Sequence, residues 1–150
     1  MEIQYLKEMK KHPTILGFTN RGLPMTEIES LEQKYNTGKP FPKAFREFLF
    51  LAGDFDNTGI QFDDFDYLQE GSRDTLKHAN KEIKRPFFAF DHINDCEHFG
   101  FFYLDDKDDD PKVYVCHPYD KNRDLVTHHG FTFTSLINEA IRRRLNNLSF

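Results

Sequence analysis

Three groups of residues in this chain have side chains that could bind a metal ion or move a proton. The first is a run of aspartates at residues 105–110. The second is two cysteine–histidine pairs, Cys96 with His98 and Cys116 with His117. The third is the histidine doublet His128-His129. Carboxylates, thiolates and imidazoles bind metal ions, and imidazoles titrate near neutral pH. The spacing within each group decides whether such a site can form.

The aspartate run does not follow the pattern of a calcium-binding loop. Such loops place oxygen ligands at alternate positions around a glycine and end in a bidentate Glu. This run contains Lys107, has no glycine and ends at Pro111. The sequence therefore favours a solvated hairpin tip over a metal site.

The two cysteine–histidine pairs fall on predicted neighbouring strands but lack the geometry of a zinc site. Cys116 and His117 are consecutive, and consecutive strand residues face opposite sides of a sheet. A hairpin with its loop at residues 105–111 pairs Cys116 with Gly100, about 13 Å along the strand from Cys96. A disulfide cannot span that distance. We therefore predict two unbridged thiols and no bound metal.

The histidine doublet precedes Gly130 in a segment predicted as a loop before the last helix. No nucleophile or second carboxylate is tied to it by spacing, and the chain has no Gly-x-Ser-x-Gly, His-Glu-x-x-His or phosphate-loop motif. A solvent-facing turn is favoured, and we predict no catalytic residue and no cofactor. One enzymatic alternative stays open, a metal-dependent hydrolase that uses residues 105–110 with His128 or His129.

The charge of the chain indicates which classes of partner it can bind. With 20 Lys and Arg against 25 Asp and Glu, the formal net charge is -5, and nucleic-acid binding needs a continuous basic surface. No apolar run approaches the length of a membrane span, and the first residues lack the pattern of a secretory signal. We expect a cytoplasmic protein that binds neither nucleic acid nor membrane, and whose partner is a basic protein.

The apolar pattern predicts an α+β fold in a single domain, residues 1–150. Helices are expected at residues 1–12, 26–37, 42–52 and 72–83 and from Thr134 with a stripe through Leu145 and Leu148, and strands at 60–62, 65–67, 87–90, 98–104, 112–117 and 125–127. The sheet is mostly antiparallel, with N-terminal helices and a C-terminal helix flanking it. Seven apolar residues are predicted to be buried together: Phe45, Phe48, Leu49, Phe88, Phe90, Phe101 and Ile141.

Residues 23–53 spell two helices joined by a proline-bracketed turn. Thr26 to Glu29 has the form of a capping box, and the face that follows holds Ile28, Leu31 and Tyr35 before Gly38. Pro42 suits the first turn of the second helix. The buried stripe of that helix is predicted to be Phe45, Phe48, Leu49 and Ala52, with Gly53 at its end.

This order of parts resembles the amino-terminal signature of the SMI1/KNR4 family, also called the SUKH superfamily. In that family a capped acidic helix leads into a Leu-Pro turn, here Phe41-Pro42, and then into an aromatic-rich helix ending in Phe-Leu, here Phe48-Leu49. The segments 85–90, 99–105 and 113–115 are similar to the family's successive core strands. The resemblance covers most of the chain and implies the family's α+β fold.

The resemblance also implies a function. Bacterial members are immunity proteins that bind and neutralise a cognate secreted toxin, polymorphic or contact-dependent and often a nuclease. Eukaryotic relatives are interaction modules in the regulation of cell-wall glucan synthesis, so a regulatory scaffold is the alternative. The leading expectation is a non-catalytic, toxin-neutralising protein whose acidic loops engage a basic toxin surface.

The partner-binding residues expected from the sequence form two acidic segments and an aromatic groove. The acidic segments contain Asp54, Asp56, Asp63, Asp64 and Asp66, and Asp105, Asp106, Asp108, Asp109 and Asp110. An aromatic centre with a polar rim suits a protein interface. The candidates for that centre are Tyr114, His117, Tyr119 and Phe131.

Overall fold

The computed structural model of the chain describes residues 1–60 and 64–149 and has an α+β fold. In chain order the elements are α1 (Lys7–Lys11), β1 (Thr14–Ile15), β2 (Phe18–Thr19), α2 (Met25–Tyr35), α3 (Lys43–Ala52), α4 (Phe65–His78), β3 (Phe87–Ile93), β4 (His98–Tyr103), β5 (Lys112–Cys116), β6 (Val126–Thr132) and α5 (Phe133–Leu145). The predicted fold class is confirmed.

The residues group into two compact units. The helical unit comprises Met1–Ile60, Lys107–Pro111 and Thr132–Phe150, and the sheet unit comprises Gln61–Asp106 and Lys112–Phe131. The assignment of residues 1–150 to one domain stays a prediction.

In the helical unit, α3 matches the predicted pattern. Phe45, Phe48, Leu49 and Ala52 are all buried, and Gly53 follows the last helical residue. Phe133, the first residue of α5, packs edge-on against Phe45 and Phe48, with ring centroids 5.5 Å and 5.7 Å away. The apolar period that predicted the helix therefore also supplies its packing face.

The start of α2 differs from the prediction. The helix begins at Met25 after Pro24, and no side chain caps it, so the Thr26–Glu29 capping box is wrong. Ile28 is buried as expected, whereas Leu31 and Tyr35 are half-buried. Glu32 is buried instead, because its carboxylate accepts from the Phe41 backbone N–H at 2.6 Å and holds the proline turn.

The predicted helix at residues 1–12 is shortened to α1. Ile3, Leu6 and Met9 are buried as expected. The backbone before α1 is held differently, since one carboxylate oxygen of Glu47 accepts from the N–H groups of Gln4, Tyr5 and Leu6 at 3.1, 2.9 and 3.0 Å. A side chain on α3 thus satisfies backbone donors that precede the helix.

Gly22 allows a close approach of two backbone segments in the same unit. A Cβ added there would lie 1.7 Å from the Phe50 carbonyl oxygen. Next to it, Leu23 N–H donates to Leu49 O at 2.9 Å. No residue with a side chain fits this position without moving the backbone.

In α5, the N-terminus is capped and half of the predicted apolar stripe is buried. Thr132 and Ser135 form a capping box, and Ile137 and Ile141 are buried. Leu145 and Leu148 are each 50% exposed. These two residues lie at and beyond the end of the helix, so the predicted stripe does not continue as a buried face past Ile141.

In the sheet unit, the antiparallel strands lie in the order β3-β4-β5-β6. The predicted edge strand is confirmed but is longer than expected, so His128-His129-Gly130 belongs to β6 and not to a loop. Cys116 pairs with Phe99, one residue from the predicted partner Gly100. Both cysteines are buried and neither is in a disulfide, as predicted.

Two elements of this unit were predicted incorrectly. The expected strand at residues 65–67 and the helix from Ser72 to Ile83 are replaced by one helix, α4. Asp64 caps it by accepting from Tyr67 N–H, and Ser72 is buried in its middle. The expected strand at residues 60–62 lies partly outside the described residues.

Helix α4 covers the outer edge of β3. The Gln69 amide donates to Ala89 O at 2.7 Å and accepts from Ala89 N–H at 2.9 Å, and Arg73 donates to Phe87 O at 2.9 Å. Gln69 and Arg73 are four residues apart on the helix, a rise of about 6 Å. Ala89 and Phe87 are two residues apart on the strand, a rise of about 7 Å, so the two side chains reach the two strand positions together. The side chains act as a missing strand, which removes an exposed edge.

The seven predicted core residues are all buried but do not form one cluster. Phe45, Phe48, Leu49 and Ile141 belong to the helical unit. Phe101 belongs to a cluster with Phe87, Ala89, Phe99 and Cys116. Phe88 and Phe90 lie on the opposite sheet face and stack on Phe102. The prediction that all seven pack together is therefore wrong, because alternate strand residues face opposite sides.

Candidate partner-binding surfaces

The net charge of the chain belongs to one unit. The sheet unit contains 13 acidic and 8 basic residues, whereas the helical unit contains 12 of each. The formal charge of -5 is therefore that of the sheet unit. A net charge of this size adds to the long-range field of the protein, and exposed acidic residues in either unit set the local potential at their own surface.

The acidic residues of the sheet unit are partly committed to its fold. Asp64 caps α4, and Asp66 is exposed in the first turn of the same helix, where a negative charge suits the helix dipole. Asp105 accepts from Arg85 at 2.7 Å, and this bond lowers the pKa of the Asp105 carboxyl. Asp106 is half-buried, and Asp63 lies outside the described residues.

The helical unit contains the rest of the aspartate run, and this part is anchored. Asp109 O accepts from Ala44 N–H at 2.9 Å, and the Asp110 carboxylate accepts from Thr134 N–H at 2.8 Å. These N–H groups belong to the first turns of α3 and α5. The N–H groups of a first turn have no acceptor within their own helix. Asp108 and Asp109 are exposed, as expected for a solvated hairpin tip, but the segment is also anchored, which the sequence did not indicate.

The two remaining aspartates of this unit have different surroundings. Asp54 is exposed and pairs with Arg21 at 2.9 Å. Asp56 accepts from Thr58 N–H at 2.9 Å and is half-buried. Burial raises the pKa of Asp56 to about 6, against the opposing effects of the Thr58 hydrogen bonds and the Arg144 charge.

This pKa predicts a specific pH dependence of stability. Between about pH 4 and 6 the folded state keeps a proton on Asp56 that the unfolded state has released. The folded protein is therefore more stable at low pH, and this stability is lost as the pH rises to 6. Asp56→Asn does not titrate. We expect its free energy of unfolding, relative to wild type, to grow by about 2–3 kcal/mol between pH 4 and 7.

Urea denaturation of both proteins across this pH range measures the difference. Asp54→Asn is the control, because Asp54 is exposed, and its difference from wild type should stay within about 1 kcal/mol. A difference for Asp56→Asn that is constant over the range would contradict the buried carboxylate.

The sulfur and nitrogen groups do not converge on a metal site. Cys116 lies in the cluster around Phe101, and burial raises the pKa of its thiol to about 12. His117 lies on the other face of the sheet, beside Val115. Over residues 1–60 and 64–149, no group of three His, Cys, Asp or Glu side chains could hold a metal ion.

His117 belongs to a hydrogen-bonded network. Its Nδ1 lies 3.1 Å from Nδ1 of His98, and its Nε2 lies 2.9 Å from Thr127 Oγ1. Only one of the two Nδ1 atoms can carry the shared hydrogen, so one ring donates and the other accepts. Burial lowers the pKa of His117, and the neighbouring His98 and Arg123 add to the effect.

The predicted aromatic groove is not a single surface. Tyr114 packs on the Phe101 side of the sheet, with its ring centroid 5.7 Å away, whereas His117 lies on the opposite side. Tyr119 is 48% exposed, and Phe131 is half-buried beside His129. Because Tyr114 and His117 face opposite sides of the sheet, the four residues cannot line one groove. Their role in binding stays a prediction.

Some important polar residues were not found from the sequence. The buried bonds of Glu32, Glu47 and Gln69 depend on residues 9 to 43 positions away. No local pattern marks them. Lys81, Lys84 and Arg85 are close together in the sequence, but the cleft that they line depends on α4 ending beside β3.

Comparison of the chain with protein-family models, curated proteins and solved structures finds no match. None of the helices in the described residues combines the length and apolarity needed to cross a bilayer.

Proposed function

We propose that this chain is a non-catalytic protein-binding domain that acts as an immunity protein in the cytoplasm, where it neutralises a cognate toxin with a basic surface. The proposal rests on the resemblance of residues 23–53 to the SMI1/KNR4 family and on the acidic surfaces of the chain. The resemblance supplies the class of partner, and the acidic surfaces supply a physical basis for recognition.

The observation that carries the proposal is the anchored acidic segment of the helical unit. Asp108 and Asp109 are exposed, while the backbone beside them is bonded to the first turns of α3 and α5. Lys43 lies 3.6 Å from Asp109, so part of the negative charge is balanced in the unbound protein. A segment that is already ordered loses little conformational entropy on binding.

The test of the proposal uses the product of the gene next to the one for this chain, which we expect to be the toxin. Co-expression should restore the growth of cells that produce the toxin, and the two purified proteins should bind. Asp108→Asn with Asp109→Asn should slow association about threefold to tenfold at low salt, because exposed charges act mainly on the encounter rate. Stability should change by less than about 1 kcal/mol.

A matched control removes two exposed carboxylates elsewhere in the same unit, Glu27→Gln with Glu29→Gln on α2. This control should associate at nearly the wild-type rate. Equal rates for wild type and the aspartate variant would refute the acidic mechanism while leaving the immunity assignment in place. Absence of both binding and protection would refute the immunity assignment.

A further inference from the structure

A second surface of the sheet unit has the opposite charge. A cleft of about 760 Å³ lies where α4 ends and β3 begins. Apolar side chains of Leu76, Ile83 and Phe87 contribute to its lining, together with one carboxylate, Glu82. Five cations also line it: Arg73, Lys77, Lys81, Lys84 and Arg85.

The two arginines are committed to the fold. Arg73 donates to Phe87 O and lies over the Phe87 ring, 4.2 Å from its centroid. Arg85 pairs with Asp105 at 2.7 Å and lies 3.8 Å from the centroid of Tyr103. These contacts fix both arginines against the cleft wall, and Asp105 balances the charge of Arg85. The exposed cations that can turn toward a ligand are the three lysines.

The three lysines are exposed, and within residues 1–60 and 64–149 none of them forms an ion pair. Three like charges on one cleft, with Glu82 as the single carboxylate in the lining, produce a local positive potential. This potential contrasts with the net charge of -5 of the unit that contains it.

The backbone that carries the lysines is ordered by its own hydrogen bonds. Asn80 has a positive φ of 56°, its N–H donates to Lys77 O at 3.1 Å, and Lys81 N–H donates to Leu76 O at 2.9 Å. This is the Schellman arrangement that ends a helix. At the other end of the segment, Leu104 N–H donates to Pro86 O at 2.9 Å. The cleft is therefore largely formed before a ligand arrives.

We propose that this cleft binds a compact ligand with clustered phosphate groups. Lysine ammonium groups bind phosphate as point charges, and the volume lies within the range of about 300–1,000 Å³ of small-molecule sites. A compact ligand is favoured over an extended nucleic acid, because the rest of the unit is acidic and would repel a long polyanion. The proposal is independent of the toxin partner, whose basic surface would be repelled here.

Calorimetric titration at low salt with inorganic triphosphate and with adenosine triphosphate tests the proposal. We expect both to bind. Lys77→Gln, Lys81→Gln and Lys84→Gln together should weaken binding at least about tenfold. The triple Lys→Arg variant at the same positions keeps the charge and should retain binding to within about threefold. Tighter binding of adenosine triphosphate than of triphosphate would show that the base also contributes, and equal affinities would assign recognition to the phosphates alone.

The control replaces three exposed lysines of α1, Lys7→Gln, Lys10→Gln and Lys11→Gln, and removes the same total charge. It should change the affinity less than about twofold, because those charges are outside the cleft. No binding at millimolar ligand, or an equal loss in the control, would overturn the proposal. A long single-stranded oligonucleotide that binds more than tenfold tighter than adenosine triphosphate would overturn the assignment to a compact ligand.

Discussion

Replacement of Phe101 by Ala should lower the free energy of unfolding by about 3–5 kcal/mol, the range for deleting a buried aromatic ring. Phe101 has no exposed surface and belongs to the apolar cluster of the sheet unit. Its ring centroid lies 5.4 Å from that of Phe87, 5.2 Å from Tyr103 and 5.7 Å from Tyr114. Central strand β4 cannot move to fill the space, because strands pair with it on both sides.

Urea denaturation measures this loss, and Tyr119→Ala is the control in the same unit. Tyr119 is 48% exposed, so its replacement should cost less than about 1 kcal/mol. A loss of that small size for Phe101→Ala would mean that the cluster around Phe101 is not the core of the sheet unit.

Glu47→Ala should destabilise the helical unit by about 3–4 kcal/mol, although Ala is the better helix former. The Glu47 side chain is buried, and one of its oxygens accepts from three backbone N–H groups. Ala leaves these donors without their partner, and Leu6, which carries one of them, is fully buried. Denaturation measures the loss, and hydrogen exchange of the amides of Gln4, Tyr5 and Leu6 should accelerate.

Two variants separate this effect from a general loss of charge. Glu47→Gln keeps an acceptor oxygen and should lose less stability, about 1–2 kcal/mol. Glu29→Ala on the exposed surface of α2 should stay within about 0.5 kcal/mol. Unchanged exchange of the three amides in Glu47→Ala would contradict the proposed role of the carboxylate.

The elements that were predicted correctly are those whose signal is local. The apolar period of Phe45, Phe48, Leu49 and Ala52 specifies both the helix and its buried face. The strands β3 to β5 were found because aromatic and β-branched residues cluster between turn residues. Where the local signal was ambiguous the prediction failed, as at Phe65–Tyr67, which reads as a short strand but forms the capped first turn of α4.

The amino-acid sequence by itself determined the α+β class, the main helices and strands, the unbridged cysteines and the acidic balance of the chain, because periodicity, composition and strand alternation act over a few residues. Tertiary structure alone decided which polar groups are buried and which charges converge. Gln69 meets the edge of β3, His98 meets His117, and Asp110 meets the first turn of α5 only after distant segments pack. Such contacts depend on strand register and helix position, and neither is encoded in the spacing of the residues that make them.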